Sequence, residues 1–137
     1  MEKYIMIAIK EAKKCKISAD IPVGAVIVEN NKIIAKGHNT REKEHIITGH
    51  AEINAINKAT KKKKNWHLNN CEMYVTLEPC EMCKNIIKQT KIKKVYYATK
   101  NHNIAKVQKN KIEIQKINDN GYSEKMLKNF FKKIRKN

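Results

Sequence analysis

Apolar residues recur at Ile5, Ala8, Ile9 and Ala12, a spacing of three and four that predicts an amphipathic helix within the first 17 residues. Asp20-Ile21-Pro22 ends it. VGAVIVE then runs apolar and β-branched, Asn30-Asn31 supplies a turn, and KIIAKGHN follows, so a hairpin is expected. The helical period returns in HAEINAINKATKKKK, with Thr48 expected as its N-cap. CEMYVTL reads as a third strand closed by Glu78-Pro79, and Pro79 suits the first position of a helix PCEMCKNIIKQT. IKKVYYA reads as a fourth strand, while TKNHNIAKVQKN is polar and aperiodic and reads as a loop. KIEIQKI alternates as a fifth strand, and Ser123 is expected to cap a final helix, EKMLKNFFKKIRK.

The order is α-β-β-α-β-α-β-β-α. Strands alternating with helices in mid-chain imply a mixed five-stranded sheet covered on both faces, an α/β domain of three layers, α/β/α. The chain has 137 residues, and two separate cores would be undersized, so residues 1–137 are expected to form one domain. Trp66 and the apolar Met73-Tyr74-Val75 run are expected in the core. Cys15 and Cys71 are expected to be small buried hydrophobes, with His45, His67 and His102 on surfaces or in loops.

Charge changes the picture only through its position. Lys and Arg total 30 against 13 Asp and Glu, a net +17. All but Arg41 and Arg135 of the basic residues are Lys, and Lys, Asn and Ile share A/T-rich codons, so composition alone does not name a partner. Residues 91–137, however, hold fourteen basic and three acidic residues, +11 of the +17. A basic final strand and helix suit a phosphate backbone held by point charges rather than bases read by bidentate Arg. No apolar run approaches the roughly 20 residues of a membrane span, and MEKYIMIAIKEAKK lacks a signal-peptide layout. A cytoplasmic protein is expected, in which a close cysteine pair serves metal or redox chemistry rather than a structural disulfide.

Such a pair exists. Cys80 and Cys83 are three apart in the opening of one helix, on one face and within reach of a single ion. His50-Ala51-Glu52 opens the preceding helix. Both helix starts follow strand ends, which brings them to the same edge of the sheet, where α/β proteins place ligands. His50 can complete an N/S2 set that zinc favours, with a fourth position left for water, as in a catalytic site. Glu52 is close by and not needed as a ligand, so it can serve as the base and proton shuttle. A closed structural zinc site or a thiol redox pair would account neither for Glu52 nor for the missing fourth ligand. Asn39 follows Gly37 at a strand end, where it serves either a turn or a ligand. Glu78 is either support for the ligand loop or a polar residue preceding Pro79. Of Phe130 and Phe131, one is expected in the core and the other free to stack on a base.

The H-x-E…P-C-x-x-C pattern is the signature of the zinc nucleobase deaminases. Together with PVGAVIV, Gly37-His38-Asn39, GHAEINAI, MYVTLEPCEMC and the terminal NFFKKIRK, it resembles the bacterial tRNA-specific adenosine deaminases. The resemblance covers most of residues 1–98 and resumes near the C-terminus. It implies a cytidine-deaminase-like fold, a homodimer, and conversion of the wobble adenosine of a tRNA anticodon stem-loop to inosine. It also implies one catalytic Zn2+ per chain held by His50, Cys80 and Cys83, with Glu52 as proton shuttle and Asn39 hydrogen-bonded to the flipped base. One departure stands out. TKNHNIAKVQKN, at residues 99–110, occupies the place of a longer family segment with a Gly-rich turn and a short helix that helps to enclose the substrate. That departure keeps open a deaminase of a free nucleobase or nucleoside, of cytosine or guanine type. A non-catalytic zinc domain that binds RNA is the third reading, and Glu52 argues against it.

Overall fold

The structure, a computed structural model, describes residues 2–104 and 111–136. The elements are α1 (Glu2–Lys13), which runs on into a 3-10 turn (Lys14–Ile17), β1 (Gly24–Glu29), β2 (Lys32–His38), α2 (Arg41–Glu44), α3 (Ala51–Lys63), β3 (Cys71–Leu77), α4 (Glu81–Thr90), β4 (Lys94–Thr99), β5 (Ile114–Lys116) and α5 (Tyr122–Lys136). The strands form one mixed sheet in the order β2-β1-β3-β4-β5. β1 is antiparallel to both β2 and β3, whereas β3, β4 and β5 run parallel. The expected three layers are present.

The hairpin closes as its turn residues dictate. Asn30 and Asn31 both carry positive φ, 51° and 63°, the conformation that two-residue hairpin turns require and that Asn tolerates. Helix packing then follows from small residues. Ala8 and Ala12 of α1 lie against β1, and Ala51, Ala55 and Ala59 of α3 lie against β1 and β2. At Gly37 a Cβ would stand 2.6 Å from the Ala51 carbonyl oxygen and from the Ala55 nitrogen. At Gly24 it would stand 1.9 Å from the Ala8 oxygen. Glycine is what lets each helix backbone rest directly on its strand.

Two cores result. On one face Ile27, Met73, Val75, Ile87 and Val95 fill the space beneath α3 and α4. On the other, Ile5, Val26, Val28 and a stack of Tyr74 on Tyr96 (4.7 Å between ring centroids) pack beneath α1. Each fully buried aliphatic side chain contributes about 1.5–3 kcal/mol. Cys15 and Cys71 are fully buried among them, as expected. Among the described residues no helix is long and apolar enough to cross a membrane.

Several local expectations are corrected. Trp66 is 61% exposed, its ring stacked on His67 at 3.6 Å. α3 ends at Lys64 in a left-handed conformation, so Trp66 falls beyond the helix and Leu68 takes the buried place. Thr48 does not cap α3; it lies in the turn in which Gly49 N–H donates to the Ile46 carbonyl, and His50 is the capping residue. Pro79 is not the first residue of α4, because Cys80 occupies the N-cap. α5 begins one residue before Ser123, and the Asp119 carboxylate accepts the Gly121 and Ser123 amides (3.1 and 2.8 Å). β5 keeps only three of the seven residues expected. α2 had no pattern to announce it. The expected loop at residues 99–110 is described as far as Ile104, and the rest lies outside the described residues.

Candidate active site

α3 and α4 both begin at the carboxyl-side edge of the sheet, α3 after β2 and α4 after β3, and each begins with a residue whose side chain is engaged elsewhere than in capping. His50 is the N-cap of α3 and Cys80 the N-cap of α4, both with extended backbones and neither capping its helix through the side chain. Their side chains meet instead. His50 Nδ1 lies 3.8 Å from Cys80 Sγ and 3.4 Å from Cys83 Sγ. All three donor atoms fall within 4.8 Å of one another. Asn54, in the first turns of α3, fixes the approach: its Nδ2 donates to the His38 carbonyl (2.8 Å) and to Thr40 Oγ1 (2.9 Å).

The donor set fits zinc. Tetrahedral bonds of about 2.05 Å to nitrogen and 2.3 Å to sulfur put N···S edges near about 3.6 Å, and the two edges here are 3.4 and 3.8 Å. The Cys80 thiol is drawn down to about 4, first by the hydrogen bond with Cys83 and then, against its burial, by His50. Cys83 is pushed up, first by its hydrogen bond with Cys80 and then by burial. His50 is raised, chiefly by its hydrogen bond to Cys80. The positive ends of two helices face the cluster and favour thiolate there.

Glu52 lies in the first turn of α3, buried beside the cluster, where burial pushes its carboxyl up to about 7. It lines the same open cleft of about 1200 Å³ as His50, Cys80 and Asn39. Asn39 is buried at the end of β2 and does turn work: its Nδ2 donates to the Ile21 carbonyl (3.1 Å) and its Oδ1 accepts the Arg41 amide (3.0 Å). Of the residues singled out for the site, His50, Glu52, Cys80 and Asn39 line this cleft, and Cys83 lies buried behind Cys80 and His50. Residues 99–103 and α5, through Leu127, Phe130, Phe131 and Ile134, supply the rest of its lining.

Asp20 was missed. Fully buried, it accepts the Glu42 amide (2.5 Å), the Lys43 amide (3.3 Å) and the Ser18 hydroxyl (2.6 Å), and so holds α2 at the mouth of the cleft. Its two partners in α2 lie 22 and 23 residues away, and no local spacing signals them.

Comparison with known proteins gives a consistent set of likenesses. The sequence model of the cytidine and deoxycytidylate deaminase zinc-binding region matches residues 1–99. The tRNA-specific adenosine deaminase of Bacillus subtilis (strain 168) is 44% identical over 96 residues, 70% of this chain and 60% of that relative's length. The chain thus matches well under two thirds of that protein. The tRNA-specific adenosine deaminase of Buchnera aphidicola subsp. Schizaphis graminum is 34% identical over 142 aligned positions, 96% of this chain and 94% of the relative. A solved structure from studies of A-to-I editing by tRNA:A34 deaminases superposes with a TM-score of 0.85 at 25% identity, covering 93% of this chain and 100% of that one.

Proposed function

This chain belongs to the cytidine and deoxycytidylate deaminase family, and from that premise we propose that it is a hydrolytic deaminase converting the wobble adenosine of a tRNA anticodon loop to inosine, with release of ammonia. One observation carries the reading: His50, Cys80 and Cys83 converge on one point with the buried Glu52 beside them, in a cleft wide enough for an extruded nucleotide. The likeness to tRNA-specific adenosine deaminases supports the choice of substrate.

His50, Cys80 and Cys83 would hold the zinc. When bound, zinc supplies a Lewis acid that makes water a nucleophile at neutral pH. Glu52 then moves the protons. Its carboxylate accepts one from the water, places it on N1 of the ring as C6 becomes tetrahedral, and carries the next to the departing amine. The pocket also has to orient the base. Asn39, held by Ile21 and Arg41, keeps one N–H and one lone pair for the edge of that base. A loop nucleotide is already partly unstacked, so its extrusion costs less than opening a duplex. Lys100, Lys128 and Lys132 on the cleft rim attract the phosphates, and Phe131, 44% exposed, offers a face for stacking.

The same reading makes residues 1–137 one deaminase domain, working in the cytoplasm as a homodimer. Ile46 and Ile47, exposed after α2, suit burial against a second copy, which sedimentation would report.

The test is incubation with total tRNA followed by sequencing for A-to-I changes. The wild-type chain is expected to edit a wobble adenosine, and Glu52→Ala to keep its zinc but lose about 10²–10⁴ in rate. An active Glu52→Ala enzyme would sink the mechanism. The trimmed segment after β4 favours a second reading, deamination of a free base, and ammonia release from cytosine or guanine without editing of tRNA would establish it.

A further inference from the structure

We propose that Lys84 and Glu78 are positioning residues that set one wall of the active cleft by clamping residues 99–103 onto the loop that carries Cys80. The proposal rests on the reading of the cleft as a deaminase site.

Lys84 follows Cys83 in α4, yet only 2% of it is exposed, and Glu78, two residues before Cys80, is 8% exposed. Lys84 Nζ lies 3.8 Å from Glu78 Oε2. An ammonium and a carboxylate taken out of water are stable only while each keeps counter-charge and hydrogen bonds. Apolar side chains would fill the same space at lower cost, so the pair has to be explained by what it holds.

It holds the exit from β4. Glu78 N–H donates to the Thr99 carbonyl (2.8 Å). Its second carboxylate oxygen, Oε1, accepts the Asn101 amide (3.2 Å), and its own carbonyl accepts Asn101 Nδ2 (3.4 Å). Asn101 passes the order on, since its Oδ1 accepts the Asn103 amide (3.0 Å). Thr99, Lys100, Asn101, His102 and Asn103 all line the cleft. Lys84 therefore holds the carboxylate, the carboxylate holds Asn101, and Asn101 shapes the wall beside the ligand loop. The clamp thus fixes the root of the segment at which the sequence departs from the longer family pattern. A displacement of about 1 Å in such a wall changes the fit of the substrate strongly.

Two double variants isolate the clamp, because both remove the buried charge pair. Glu78→Gln with Lys84→Met keeps an amide oxygen for the Asn101 N–H; Glu78→Leu with Lys84→Met does not. The Gln variant, which keeps the acceptor but loses the ion pair that holds it, is expected to fall between wild type and the Leu variant in KM for an anticodon stem-loop and in hydrogen exchange of the Asn101 amide. The Leu variant is expected to raise KM about tenfold with a smaller change in kcat, at unchanged zinc content. Its Asn101 amide should exchange about tenfold faster or more. Lys84→Met alone, which strands the carboxylate, should resemble the Leu variant. Double variants that behave alike, or singles that lower Tm without moving the Asn101 amide or KM, would overturn the proposal. The exchange readout needs no substrate, so it is decided separately from the deamination assay.

Discussion

The edge where α3 and α4 begin and the helix that ends the chain solve opposite problems. At the former, side chains are committed: Cys83 is fully buried, Glu52 nearly so, and two N-cap residues give up capping to meet each other. α5 commits little. Met126, Leu127 and Phe130 are half-buried, Phe131 and Ile134 are exposed, and the lysines between them point into solvent. Both regions line one cleft. Chemistry demands donor atoms fixed to fractions of an ångström, whereas holding a large polyanion demands charge and accessible apolar faces. The contrast suits an enzyme whose reacting atom is small and whose substrate is not.

Removing the metal should give the largest effect and fall wholly on the first region. Chelation is expected to take editing below detection and to lower Tm, and added Zn2+ to restore both. Ligand binding at a thousand times Kd is worth about 4 kcal/mol of apparent stability. Binding of the stem-loop measured by a mobility shift should persist, because α5 does not need the metal. Loss of RNA binding on chelation would break the division between the two regions.

Next comes one deletion made in both. Ile87→Ala, in a side chain 1% exposed, is expected to cost about 2–5 kcal/mol in urea unfolding. Ile134→Ala, at 55% exposure, should stay within about 0.5 kcal/mol. An equal cost would mean that α5 buries its apolar face against something in solution. The glycines sharpen the contrast from within the folded half. Gly37→Ala drives a methyl into the backbone of α3, which carries His50 and Glu52, and Gly24→Ala drives one into α1. Each should cost about 1–3 kcal/mol or more, but only Gly37→Ala should also weaken zinc binding, read by metal titration.

The same division governs what the sequence made legible. His50, Glu52, Cys80 and Cys83 could be read because a helix converts short spacings into shared faces, and because two strand ends put two helix starts at one edge. β3 came out over the residues expected, since Met73, Tyr74 and Val75 are buried on both faces of the sheet. β5 shrank because it is an edge strand paired to β4 alone. Asp20 and Lys84 could not be read, for opposite reasons. The hydrogen bonds of Asp20 reach across 22 residues. Lys84 sits at a position where a lysine is ordinarily solvated, and its pairing with the Glu78 carboxylate goes with its burial. Trp66 failed by the converse rule, for size and apolarity do not bury a residue that follows a helix end.

The smallest effect asks whether position or only total charge draws the substrate. Lys132 and Lys133 on α5 are exposed, and so are Lys61 and Lys62 near the end of α3, about 17 Å of helix away from His50. Reversing either pair to Glu changes the net charge equally. If the charge on α5 tracks the RNA backbone, Lys132→Glu with Lys133→Glu should raise KM several-fold and flatten the salt dependence of log KM by about 1–2, at about 0.7 per phosphate contact on single strands. Zinc content and kcat should not move. Lys61→Glu with Lys62→Glu should change KM less than about twofold, since at physiological salt the field is screened within about 8 Å. Equal effects from the two pairs would mean that the +17 acts as a diffuse field and that α5 has no privileged place in it. Unequal effects would make the final helix the track along which the nucleotide reaches Glu52.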